Sequence, residues 1–158
     1  KGQTQHAVII DPTRREEFSA SRGKGAELNG ERIRVSTRNS LKDALIGNTS
    51  HVNDSQNYTF ENISTFRALY KHSLTIRRSG CSALDLAYVA AGRLDAFWAN
   101  GLGVWDIAAG MLIAEEAGAL TSDFLGNPDY KKSDHYLCAT PKCFKQMLEA
   151  IKPNFKAN

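Results

Sequence analysis

The stretch Leu94-Asp95-Ala96-Phe97-Trp98-Ala99-Asn100-Gly101-Leu102-Gly103-Val104-Trp105-Asp106-Ile107-Ala108-Ala109-Gly110, running on to Glu116-Ala117-Gly118, decides the fold. Residues 94–98 read as a short strand of β-formers. A glycine-bearing connection follows, and Asp106 then opens a largely apolar helix that passes through Ile113 and Ala114 to a glycine C-cap at Gly118. A helix apolar around so much of its circumference must be covered on more than one side. A strand leading into such a helix therefore belongs to a layered α/β arrangement.

The same alternation extends in both directions. Upstream, Leu74-Thr75-Ile76-Arg77-Arg78 is a strand broken at Ser79-Gly80, and residues 83–90 form a second apolar helix ended by Gly92. Ser82 followed by Asp85 resembles a capping box for that helix. Phe60, Ile63, Phe66, Leu69 and Tyr70 predict an amphipathic helix over 58–71, and Ala44-Leu45-Ile46-Gly47 a buried strand. The Asn-, Ser- and Asp-rich segment 48–57 is expected to be loop. Downstream, residues 119–122 and 136–139 are strands, and a helix starts at Pro141 and carries Phe144, Met147, Leu148 and Ile151. Residues 41–158 are thus expected to form an α/β domain.

Residues 1–40 differ in character. Ala7-Val8-Ile9-Ile10 is a β-branched strand, Asp11-Pro12 a turn, and Glu17-Phe18-Ser19-Ala20 a returning strand. Asn29-Gly30 is a strong two-residue hairpin signal, because both residues tolerate positive φ. The chain starts at Lys1 without a methionine and enters a strand almost at once, so 1–40 is expected to be the end of a truncated antiparallel sheet region.

The 158 residues are 42% hydrophobic and 23% charged, the balance of a globular domain. The net charge of +3 is spread along the chain, and the pairs Arg14-Arg15, Arg77-Arg78 and Lys131-Lys132 are too short to mark a nucleic-acid tail, so no direct nucleic-acid contact is expected. Cys81, Cys138 and Cys143 form an odd set without CxxC spacing, the pattern of reduced thiols in a cytoplasmic protein. No run of apolar residues is long enough for a membrane span. The four histidines show no zinc-ligand spacing.

Asp106 carries the sharpest chemical reading. An aspartate opening a helix is explained by N-capping alone. Held there it can equally bind a hard cation such as magnesium, which takes one or two carboxylates plus substrate phosphate. Gly80, Cys81 and Ser82 stand at a second helix N-terminus, where free N–H groups favour an anion or a hydroxyl-rich ligand, and Arg77 just upstream can clamp a phosphate or serve as a surface ion-pair partner. Cys81 has no histidine near it in sequence to act as a base and is read as a small buried thiol.

Together these segments resemble the inositol monophosphatase family, and within it the bacterial extragenic-suppressor type. The resemblance rests on Ile10-Asp11-Pro12 with 22–30, on Arg77-Arg78-Ser79-Gly80 with 83–93, and on Trp105-Asp106-Ile107-Ala108-Ala109-Gly110 with Glu116-Ala117-Gly118. It implies an α/β/α/β/α sandwich of the inositol monophosphatase and fructose-1,6-bisphosphatase type, of which this chain is the C-terminal portion. It also implies a lithium-sensitive homodimer that hydrolyses inositol-1-phosphate or another phosphomonoester with Mg2+. Residue by residue, Asp106 matches a carboxylate that binds metal and touches substrate, Arg77 a substrate-contacting arginine, and Gly80, Cys81 and Ser82 the turn along the inositol ring. Bacterial members of this type are also associated with transcription and ribosomal-RNA maturation, which implies a protein partner from that machinery.

Two departures qualify the resemblance. The family's metal glutamate and its DPxDGT block do not occur in these residues, and one aspartate cannot hold two ions about 3.5–4 Å apart, so the 158 residues alone are expected to be inactive. Ala99 stands where the family usually has a glutamate that contacts a ring hydroxyl, with Asn100 beside it. That substitution puts inositol itself in question as the substrate.

Overall fold

The computed structural model describes residues 2–50 and 56–154, with side chains at 2–49 and 62–153. Four strands, β1 (His6–Asp11), β2 (Glu16–Ser21), β3 (Gly25–Leu28) and β4 (Glu31–Ile33), form an antiparallel meander in that order. The Asn29-Gly30 turn is of the expected kind: Leu28 pairs with Glu31, and the two turn residues have φ of 51° and 81°. The Asn29 side chain accepts the Glu17 N–H at 2.8 Å and donates to the Arg15 carbonyl at 3.1 Å, so one residue holds two turns. At the end of β1, Asp11 Oδ1 accepts the N–H groups of Thr13 and Arg14 at 3.0 and 3.2 Å.

The second sheet runs β6-β5-β7-β9-β8, built from β5 (Leu45–Ser50), β6 (Thr75–Arg77), β7 (Ala96–Asn100), β8 (Leu120–Ser122) and β9 (His135–Ala139). β5 is parallel to β6 and to β7, whereas β9 is antiparallel to both β7 and β8. The helices are α1 (Gln56–His72), α2 (Ser82–Ala90), α3 (Val104–Glu116) and α4 (Pro141–Ile151). β7 shows why both faces of this sheet are covered: all five of its residues are buried. Phe97 and Ala99 join α2, α3 and the inner face of the first sheet in one core, with Phe18, Leu86, Met111 and Cys138. Ala96 and Trp98 join α1 and α4 in the other, with Leu69, Met147 and Ile151. The layers are sheet, α2 and α3, sheet, α1 and α4. On the outward face of the first sheet Val8 and Ile10 are 56% and 59% exposed, and no described helix covers them.

Two contacts lock the layers. An added Cβ at Gly110 of α3 would stand 2.5 Å from the Leu86 Cβ of α2, so the glycine sets how closely these helices approach. Glu116, at the end of α3, accepts the N–H groups of Gly23 and Gly25 at 2.7 and 2.8 Å, which ties α3 to the β2–β3 turn.

Two expectations need correction. The segment 48–57 is not all loop: β5 continues through Ser50 and α1 begins at Gln56, with 51–55 outside the described residues. Asn48 and Thr49 are buried strand residues despite their polarity, and Asn48 donates to the Trp98 carbonyl at 3.2 Å. α1 is a helix as expected, but of its expected apolar stripe only Leu69 is buried among the described side chains, and Phe60 lies outside them. Thr65 and Leu69 are buried, while Ile63, Phe66 and Tyr70 are 62%, 43% and 59% exposed.

Candidate active site

α2 and α3 each follow a parallel strand of the second sheet, so both helices begin at the carboxyl edge of that sheet, where β5 also ends. Open α/β sheets place ligands at this edge. Ser82 and Asp106 lie one turn upstream of Leu86 and Gly110, the pair at which the two helices touch.

The start of α2 is an open turn. Gly80 has φ of 89° with nothing within 4 Å of its Cβ position, a conformation that suits glycine. Cys81 is the N-cap residue and is exposed, which corrects its reading as a buried thiol. Ser79 Oγ accepts the Cys81 N–H at 3.1 Å, and no side chain caps the helix. The capping box expected from Ser82 and Asp85 does not form. Ser82 is the first helical residue, and Asp85 turns inward against β5, its Cβ 3.4 Å from the position a Cβ on Gly47 would take. Asp85 is 2% exposed and its Oδ2 has no hydrogen-bond partner. Burial pushes its carboxyl up to about 6, against the hydroxyls of Ser79 and Thr49, which lower it.

α3 is capped by Gly103, so Asp106 is the third helical residue and not the N-cap. Its Oδ2 reaches back to accept the Gly103 N–H at 2.9 Å, which fixes the carboxylate and leaves Oδ1 for another donor or a cation. Residue-type preference cannot separate these two positions, because acidic side chains favour the whole first turn. Trp105 is 82% exposed, and its ring folds over Gly103, where an added Cβ would meet it at 2.3 Å. Buried Ile107 and Gly110 form the support beneath.

Arg77 ends the edge strand β6 in register with Gly47. It is exposed and makes no ion pair or hydrogen bond among the described residues. The structure therefore brings Gly80, Cys81, Ser82 and Asp106 to one edge, with Arg77 on the strand leading into it and no polar contact joining it to the others. Ala99, fully buried, pairs with Thr49 and Tyr136. Asn100 is 1% exposed, and neither polar atom of its side chain has a partner. Asn48, Thr49, Asp85 and Asn100 are thus buried polar residues near this edge that sequence reading missed, Thr49 and Asp85 on the face of the sheet toward α2 and Asn48 and Asn100 on the other. Their signal was a change from apolar to polar residues within β5 and β7, which composition alone assigns to a loop.

Among the described residues no three His, Cys, Asp or Glu side chains converge closely enough to hold a metal. Asp106 fits magnesium by donor chemistry, as one hard oxygen ligand on a rigid helix, and the rest of a ligand set is not within this group. No described helix is long and apolar enough to cross a membrane.

The two-sheet, four-helix arrangement is that of known inositol monophosphatases. The extragenic suppressor protein SuhB from Bartonella henselae superposes with a TM-score of 0.90 at 35% identity, covering 98% of this chain and 58% of that one. Inositol monophosphatase from Anabaena superposes at 0.89 and 32% identity, covering 96% and 60%. The inositol monophosphatase family model matches residues 1–154, and the chain belongs to that family. Among curated relatives, the Nus factor SuhB of Pseudomonas aeruginosa is 50% identical over 155 residues, covering 98% of this chain and 57% of that protein. The Nus factor SuhB of Escherichia coli is 44% identical over 152 residues, covering 96% and 57%. The chain spans less than two thirds of the length of these relatives.

Proposed function

We propose that the protein is a magnesium-dependent phosphomonoester hydrolase acting on inositol-1-phosphate or a related sugar or nucleotide phosphate. The observation that carries this reading is the Asp106 carboxylate, pinned at 2.9 Å by the Gly103 amide at the edge where α2 opens with no side-chain cap. In this reading Asp106 holds Mg2+ and touches substrate. Gly80, Cys81 and Ser82 present the N-terminal amides of α2 to a phosphate or polyol, and Arg77 supplies a guanidinium for the phosphate. Bound magnesium supplies positive charge for the phosphoryl oxygens and a more acidic water. The remaining metal carboxylates lie outside these residues. Ala99 brings no acceptor for a ring hydroxyl, so discrimination among phosphomonoesters is expected to be broad.

Phosphate release from inositol-1-phosphate and a panel of sugar and nucleotide monophosphates, with and without Mg2+, tests the reading on full-length protein. Asp106→Asn is expected to lower kcat/KM by about a hundred-fold or more and to weaken Mg2+ binding measured by calorimetry. Unchanged activity in that variant refutes the assignment.

A second reading has its own support: the curated relatives most like this chain are named Nus factors. In it the same fold also contacts a protein of the transcription machinery.

A further inference from the structure

The Leu102–Gly103 peptide group, between β7 and α3, is held on both sides. Its N–H, on Gly103, donates to Asp106 Oδ2 at 2.9 Å. Its carbonyl, on Leu102, accepts the Tyr136 hydroxyl at 3.1 Å in a buried bond. A peptide group is planar, with its N–H and carbonyl pointing in opposite directions, so fixing the carbonyl fixes where the N–H is aimed. Tyr136 and Asp106, far apart in sequence, therefore grip one rigid plate from opposite sides.

The surroundings of Tyr136 favour this reach. It is 4% exposed and stands on β9 opposite Ala99 of β7, in the core that β7 shares with α2 and α3. Directly paired residues share a face of the sheet, and with only a methyl group at Ala99 the ring has room to pass its register partner and meet the Leu102 carbonyl. Tyr130 packs edge-on against the ring, with centroids 6.3 Å apart at an interplanar angle of 78°. The same loop is tied once more, by the Gly101 N–H donating to the Asp134 carbonyl at 2.8 Å. Burial, and then the charges of Asp134 and Asp106, push the Tyr136 phenol up from its ordinary range, so it is protonated and donating at neutral pH. A phenylalanine would fill the same part of the core. What the hydroxyl adds is one bond, and that bond ends on the peptide that holds Asp106.

We propose that Tyr136 is a positioning residue for the metal site: through the Leu102–Gly103 peptide it orients the Asp106 carboxylate, holding Oδ2 so that Oδ1 is left for the cation. The proposal rests on the reading above in which Asp106 binds Mg2+. Tyr136 itself, buried in the core, is not offered as a ligand of metal or substrate. Hydrogen-bond partners that orient a metal ligand are worth about 10–100-fold in metal affinity, and one that acts through an intervening peptide is expected to be worth about three- to ten-fold.

The test compares Tyr136→Phe with Tyr130→Phe in full-length protein. Each variant loses the hydroxyl of a buried tyrosine, Tyr130 its 3.4 Å contact with Glu115, and only the Tyr136 hydroxyl leads to Asp106. In metal-free protein, hydrogen exchange of the Gly103 N–H is followed by NMR relative to that of Leu112 within α3. It is expected to be about three- to ten-fold faster in Tyr136→Phe and unchanged in Tyr130→Phe. Calorimetry is expected to show Mg2+ bound about three- to ten-fold more weakly by Tyr136→Phe, and with wild-type affinity by Tyr130→Phe. A merely structural loss would instead speed exchange at Gly103 and Leu112 together and affect both variants alike, which overturns the proposal. So does wild-type or tighter Mg2+ binding by Tyr136→Phe, or an unchanged Gly103 exchange rate. Asp106→Asn separates the two levels. If it weakens Mg2+ binding and Tyr136→Phe does not, the role of Tyr136 alone is refuted. Mg2+ binding that is unchanged in Asp106→Asn, or absent from the wild type, refutes the metal reading and this proposal with it.

Discussion

Asp85→Asn isolates the cost of burying a carboxylate at the candidate site. Asp85 is 2% exposed, has an unpartnered oxygen, and titrates at about 6 against an ordinary value of 3.8. The folded pKa lies above the unfolded one, so the favourable contribution of the protonated form is complete below about pH 4 and is lost as pH rises through about 6. About two pKa units at 1.36 kcal/mol each amount to roughly 3 kcal/mol between those limits. Asparagine keeps the shape and cannot ionise. Urea denaturation at half-unit steps from pH 4 to 8, on wild type and variant, gives the stability difference at each pH. Other titrating groups cancel in that difference, and any pH-independent effect of the amide moves it uniformly. The variant is expected to gain on the wild type by about 3 kcal/mol from pH 4 to 7, with the midpoint of the rise between 5 and 6. A difference that is flat across this range, or that falls as pH rises, refutes the reasoning.

Three further substitutions test the packing that holds the site. Glu116→Ala removes the acceptor for the Gly23 and Gly25 amides and is expected to cost about 1–3 kcal/mol in urea denaturation at pH 7. Burial opposes ionisation of Glu116, but those two amides outweigh it and hold its carboxyl below the usual range. Its contribution is therefore present at neutral pH and lost as pH falls through the folded pKa, and the gap between variant and wild type should close in acid. Gly110→Ala puts a Cβ 2.5 Å from that of Leu86 and is expected to cost about 1–3 kcal/mol, read as a lowered Tm. Asn29→Ala leaves a β-carbon residue at φ of 51° without the bond to Glu17, and is expected to cost about 1–2 kcal/mol by the same measurement.

Where local chemistry decides a conformation, the structure was legible in the sequence. Asn29-Gly30 specifies its turn because few other pairs tolerate positive φ at both positions, and the start of α4 is announced by Pro141. The two helix caps were not legible in detail. Ser82 and Asp85 have cap-forming side chains, and only the packing of α2 on β5 turns Asp85 inward. Asp106 has the residue type of an N-cap and occupies the third position because Gly103, over which the Trp105 ring closes, takes the cap. Periodicity identified α1 as a helix but not which side would be covered, since a hydrophobic stripe records only that something apolar meets it. The motifs 22–26 and 116–118 stand far apart in sequence, and their association was explained only once the Glu116 carboxylate was seen on the amides of that turn.

The buried polar residues at the end of β5 and β7 give the site an argument that does not depend on resemblance. Leaving a buried polar group unpaired costs about 1–3 kcal/mol, and native cores avoid it. Here Asp85 Oδ2 and both polar atoms of the Asn100 side chain lack partners at one edge of one sheet. Asn100 ends β7 on the face of the sheet that Ala96 and Trp98 present to α1 and α4, and Asp85 packs against β5 on the face toward α2, so the unpaired groups stand on opposite faces near the edge at which α2 and α3 begin. The first core, only a few residues away along β7 at Phe97, consists of apolar side chains in contact. A fold that packs this closely in its interior yet leaves charge and amide unsatisfied at one edge is carrying destabilisation there, and functional sites are where folds retain such a cost. Asp106, fixed by the Gly103 amide, lies at that edge, so the unpaired buried groups beside it support the location of the site in addition to the motif around Asp106.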